Sequence, residues 1–154
     1  MSSVKDLIDK ALRGVESASS ESEEDIASAV PTHYRAVSRH QTALHVAARY
    51  GSERALKFLA GRPSHANDNA ATAAASHANN NGALPLHCAA ARDQQACVEC
   101  LVSRFSASVN ARDTSGATPL HWASYYGSVA SIRCLGSNGA DADAVRSADG
   151  ARPL

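Results

Sequence analysis

Apolar residues fall along this chain in short helical bursts separated by polar, turn-rich connectors. Val4, Leu7, Ile8, Ala11, Leu12 and Val15 follow the i, i+3, i+4, i+7 spacing of one helix face over residues 3–15. Gly14 stands at its end, where helices often stop. A serine and acid run follows from Ser17 to Asp25, then a short burst of Ile26, Ala27, Ala29 and Val30, halted by Pro31. From His40 onward the bursts come in pairs. Leu44, Ala47 and Ala48 share one face behind a candidate cap at Thr42. Gly51 breaks that helix, and Ser52 is placed to cap a second one that turns Ala55, Leu56, Phe58 and Leu59 inward. The next pair has Leu86, Ala89 and Ala90, then Cys97, Val98, Cys100 and Leu101. The third has Leu120, Ala123 and Ser124, then Ser131, Ile132, Cys134 and Leu135.

The pairs keep register. Leu59, Leu101 and Leu135 each fall fifteen residues after Leu44, Leu86 and Leu120. The break between paired helices is Gly51 and Gly127, with Asp93 in the middle pair, and Asp tolerates the left-handed conformation better than most residues. A motif marks each start: Thr118-Pro119-Leu120-His121-Trp122-Ala123, with weaker copies at 42–47 and 84–89. Its leucines are spaced by 42 and 34 residues, and Pro153-Leu154 lies 34 beyond Leu120. An Ala- and Asn-dominated insertion, residues 61–81, accounts for the longer spacing and reads as low complexity and mobile.

A T-P-L-H-x-A motif near a 33-residue period is the signature of the ankyrin repeat, and residues 38–154 resemble three such repeats and the opening of a fourth. The unit Gly116 to Asp143 is the closest match. The resemblance implies an all-α fold: a short solenoid of stacked antiparallel helix pairs with projecting hairpin loops, the loop at 109–116 forming one fingertip. Residues 1–37 are expected to form an N-terminal helical cap carrying the acidic segment, as terminal repeats need a polar outer face. Ala43 and Leu84 depart from the pattern, Leu84 because it replaces the capping threonine, at a cost of about 1 kcal/mol. The break after Arg152-Pro153-Leu154 suggests an array cut from a longer one.

Composition adds limits. Residues 1–30 hold seven acids and three bases, and residues 31–154 eight acids and twelve bases, so a net of −4 faces a net of +4. That excess does not point to nucleic acid as partner. No apolar run reaches the length of a membrane span, and no secretory signal is read at the N-terminus. The setting expected is intracellular, cytoplasmic or nuclear.

Chemistry is thinly represented. Cys97-x-x-Cys100 has redox or metal spacing, but in repeat register these are core slots, where free cysteine behaves as a small hydrophobe. A zinc site needs four converging ligands, and there is one pair. His45, His87 and His121 fall one per layer, and the resemblance gives them a structural, backbone-bracketing role. No nucleophile elbow, phosphate loop or dinucleotide fingerprint occurs. No enzyme activity, cofactor or metal is therefore expected.

The function expected is binding of a partner protein. Family register puts the variable concave positions at Arg49 and Tyr50, Ala91 and Arg92, and Tyr125 and Tyr126, with Trp122 close by and fingertip residues Arg112 and Asp113 adjoining. Tyr, Trp and Arg are the types enriched in binding hot spots. Alternatives are a regulatory or targeting domain of a larger enzyme or channel, an assembly chaperone, and more remotely a thiol-redox or metal protein. Ser20 and Ser22 precede acids by three residues, a spacing suited to acid-directed phosphorylation.

Overall fold

A computed structural model describes residues 43–60, 75–147 and 149–153. The expected N-terminal cap, the Thr42 cap, most of the insertion, and the side chains of Phe58 and Leu59 lie outside these described residues. Among the described residues there are six helices: α1 (Ala43–Tyr50), α2 (Glu53–Ala60), α3 (Pro85–Ala91), α4 (Gln95–Phe105), α5 (Pro119–Tyr126) and α6 (Val129–Ser137). Among the described residues there is no strand.

The helices form two layers. α1, α3 and α5 pack in sequence as an inner row, and α2, α4 and α6 as an outer one. Alanine sets the inner spacing: Ala47, Ala48, Ala89, Ala90 and Ala123 are fully buried, so the inner helices approach closely. The leucines fill the space between layers, with Leu56, Leu86, Leu101 and Leu135 fully enclosed and Phe105 beside them. Burying each such side chain contributes about 1.5–3 kcal/mol.

Local chemistry explains each boundary. At α5, Thr118 Oγ1 accepts the His121 N–H, and His121 Nδ1 accepts the Thr118 N–H in return at 3.1 Å. At α3 only half of this exchange exists. His87 Nδ1 accepts the Leu84 N–H at 3.1 Å, but the Leu84 side chain has no oxygen to return it, and the His87 N–H donates to the Leu84 carbonyl instead, at 3.0 Å. Pro85 and Pro119 open their helices without loss, because the first helical N–H has no partner anyway. Ser52 Oγ accepts the Ala55 N–H at 3.2 Å, as its sequence position predicts.

The breaks between paired helices are left-handed at Gly51 (φ +77°), Asp93 (φ +55°) and Gly127 (φ +70°). Asp93 does more than tolerate the turn. Its Oδ1 accepts the Ser131 N–H at 2.8 Å, in the first turn of α6 one repeat further on. The side chain that glycine lacks thus caps a helix of the neighbouring pair.

Among the described residues three fingers adjoin the inner row and share one design. Asn79–Ala83, Asp113–Ala117 and Arg146–Ala151 are each closed by a backbone bond from the first N–H to the last carbonyl, at 3.0, 3.0 and 2.8 Å. The Ala/Asn insertion therefore ends inside a repeat: Asn79 Oδ1 accepts the N–H groups of Asn81 and Ala83, making that stretch a fingertip. The fingers stack tightly. Thr114 N–H and Oγ1 both donate to Asn81 O, at 3.1 and 2.8 Å. A Cβ on Gly116 (φ +79°) would lie 2.8 Å from Ser147 N, so close approach and backbone conformation both demand glycine there.

Candidate protein-binding face

The motif histidines hold the scaffold of this face. His45, His87 and His121 present Nε2 to the carbonyls of Ala83, Ala117 and Ala151, at 2.9, 3.1 and 3.0 Å. At His87 and His121 the Nδ1 atom receives a backbone N–H, so it is the acceptor and Nε2 carries the proton. Each of these rings thus ties the start of an inner helix to the last residue of the next finger. Burial pushes His87 down to about 4, against the opposing bond to Ala117 O and the charge of Asp113. His45 moves in the same direction, again chiefly by burial.

On that scaffold the end of α5 presents two aromatic rings to solvent. Tyr125 and Tyr126 are 82% and 61% exposed, and their rings meet edge to face at 5.1 Å. Trp122 is half-buried beside them. Its Nε1 donates to Asp113 Oδ2 at 2.9 Å, and its ring meets that of His87 edge to face at 5.7 Å. Asp113 Oδ1 also accepts from Ser115 N, Ser115 Oγ and Ala117 N, at 2.9, 2.6 and 2.9 Å. Burial raises the Asp113 carboxyl, but these bonds outweigh it and hold the group below its ordinary range.

Asp113, Trp122, Tyr125 and Tyr126 together line a cleft of about 210 Å³, closed on its other sides by Ser115, His121 and Arg146. That volume accommodates one large side chain. Arg146 belongs to the last finger and is paired with Asp149, its Nε donating to Oδ1 at 2.8 Å. The pairing holds the Asp149 carboxyl at about 2.

The other candidates are distributed differently. Arg112 turns into the scaffold: Nη1 donates to Gly116 O in its own finger and to Val145 O in the next, at 3.0 and 2.7 Å. Tyr50 is half-buried against the core. Arg92 is exposed and Arg49 half-buried. Their charges both act on the Cys88 thiol, each favouring the thiolate against the larger effect of burial. Sequence reasoning missed Arg146 and the lining role of His121. The signal for Arg146 was present, since it stands 34 residues after Arg112, one repeat on.

Cys88, Cys97, Cys100 and Cys134 are all buried and none forms a disulfide, in the apolar slots their register indicates. Burial pushes Cys88 up to about 11 and raises Cys100 and Cys134 as well. Thiolates are disfavoured at all three sites. Among the described residues no group of three or more His, Cys, Asp or Glu side chains is placed to hold a metal ion. Among them too, no helix is long and apolar enough to cross a membrane.

A family model for ankyrin repeats, in three copies, matches residues 44–146. The chain belongs to the ankyrin-repeat family. Repeats of this kind are generally protein–protein interaction modules and typically non-catalytic. No curated protein matches the chain.

Proposed function

We propose that this chain is a non-catalytic module that binds a partner protein through the concave face and fingertips of its array. The observation that carries the proposal is the pair of exposed tyrosines beside the 210 Å³ cleft. Large aromatic rings left in solvent at the rim of a shaped cleft are what a binding hot spot requires. Arg49, Tyr50 and Arg92 extend the face across the two preceding layers. Asp113, Trp122 and Arg112 serve it mainly by fixing its shape, since their polar atoms are already engaged within the fingers. A reducing intracellular compartment, cytosol or nucleus, suits four cysteines that form no disulfide.

The test replaces Arg92, Tyr125 and Tyr126 by serine and leaves Tyr50, which packs against the core. Captured proteins from native lysate are compared between the wild type and this variant. The expected result is a set of proteins lost from the variant while its melting temperature stays within a few degrees of wild type. An identical captured set would refute the assignment of the face.

A further inference from the structure

Two cations of the proposed binding face, Arg49 and Arg92, form no ion pair among the described residues. Arg49 near the end of α1 and Arg92 just after α3 belong to adjacent packed layers, both close enough for their charges to act on Cys88. The nearby acids keep their charge but turn their oxygens to other partners. Asp93 caps α6, Asp113 takes four hydrogen bonds within its finger and from Trp122, and Asp149 holds Arg146. In repeat register Arg92 stands level with Tyr126, and Arg49 with Tyr125. The face is therefore a cationic strip that runs into an exposed aromatic pair.

The chain carries a complement to that strip. Between Ser17 and Asp25 stand Glu21, Glu23, Glu24 and Asp25, and no basic residue occurs from Gly14 to Thr32. Seventeen residues separate Asp25 from Ala43, the start of α1. At ~3.3–3.6 Å per residue such a tether spans at most about 60 Å. Adjacent helices in a packed row lie ~8–10 Å apart, so Arg49 and Arg92 fall well within reach.

We propose that the acidic segment Ser17–Asp25 is an intramolecular occupant of the Arg49–Arg92 strip, covering the binding face until an acidic partner segment displaces it. This rests on the proposed binding face and names the chemistry it selects: an acidic stretch with few bases. A tether of this length supplies an effective concentration on the order of 1 mM. A segment whose separate affinity is ~0.1 mM would then be about nine-tenths docked. Phosphorylation of Ser20 or Ser22 adds charge to the same segment and tightens the docking.

Two measurements on the full chain test this. First, Ser19→Cys is spin-labelled, the four native thiols being buried, and paramagnetic broadening of backbone amides is mapped at low salt. Broadening centred on Arg49, Ala91–Arg92 and Tyr126, and abolished by 0.5 M salt or by Arg49→Gln with Arg92→Gln, is the expected result. Broadening centred elsewhere, or none, overturns the proposal. Second, a fluorescein-labelled peptide of residues 16–25 is titrated in trans. A chain carrying Glu21→Gln, Glu23→Gln, Glu24→Gln and Asp25→Asn should bind it about tenfold more tightly than wild type, because its face is uncovered. Equal affinities overturn the proposal. If the peptide fails while the serine variant still loses captured proteins, the binding face stands and only its acidic occupant falls.

Discussion

Acid should loosen this array through His87. The ring is fully buried, with Nδ1 accepting the Leu84 N–H and Nε2 donating to Ala117 O. A second proton must enter at Nδ1, where it would meet another donor. The folded value is about 4 against an ordinary 6.5. The unfolded chain therefore binds more protons than the folded one throughout that window. The stability this group contributes is complete above pH 6.5 and is lost as pH falls toward 4. A shift of this size corresponds to about 3 kcal/mol in all, of which about 2 kcal/mol goes between pH 7.5 and 5. Against a total of ~5–15 kcal/mol for a domain, that is a large share. His45 adds to the loss in the same direction. The assay is urea unfolding followed by circular dichroism at several pH values, with His87→Gln as the comparison. The variant should be less stable at pH 7.5, but its stability should fall by about 2 kcal/mol less between pH 7.5 and 5. Parallel pH profiles for the two proteins would refute the reasoning, because they would show that His87 does not titrate with unfolding.

Other outcomes follow from the caps and turns. Leu84→Thr completes the hydrogen-bond exchange that Thr118 already makes with His121, and should raise stability by about 1 kcal/mol in the same urea assay. Gly127→Ala meets only its positive φ, whereas Gly116→Ala also drives a Cβ to within 2.8 Å of Ser147 N. Calorimetry should show a loss of about 1–2 kcal/mol for the first and clearly more for the second. The native cysteines should react with a thiol reagent at pH 8 far more slowly than in urea, since burial raises at least three of them. A fast-reacting native thiol would contradict that burial.

Much of the fold was legible in order. The apolar spacing, Ser52 at a helix start and glycine or aspartate at each break are local signals, read within a few residues of where they act. Histidine bracketing was legible through the resemblance, and its partners emerge as Ala83, Ala117 and Ala151. The candidate face was legible in part. Register brought Trp122, Tyr125 and Tyr126 together, but not the engagement of Arg112 with Val145 O, or of Asp113 with Trp122 Nε1.

The sequence by itself determined that this chain is a stack of helix pairs, because helix periodicity, capping and a repeated motif are properties of short stretches. It also determined that three histidines and four cysteines fall in layers rather than in one cluster. Only the tertiary structure decided which polar side chains are spent on the scaffold and which remain available to a partner. That outcome depends on contacts between residues about 30 positions apart, made by one finger lying against the next. No local pattern records whether Asp93 will reach α6 or Arg146 will close a cleft. Stacking distance does, and it exists only once the repeats have packed.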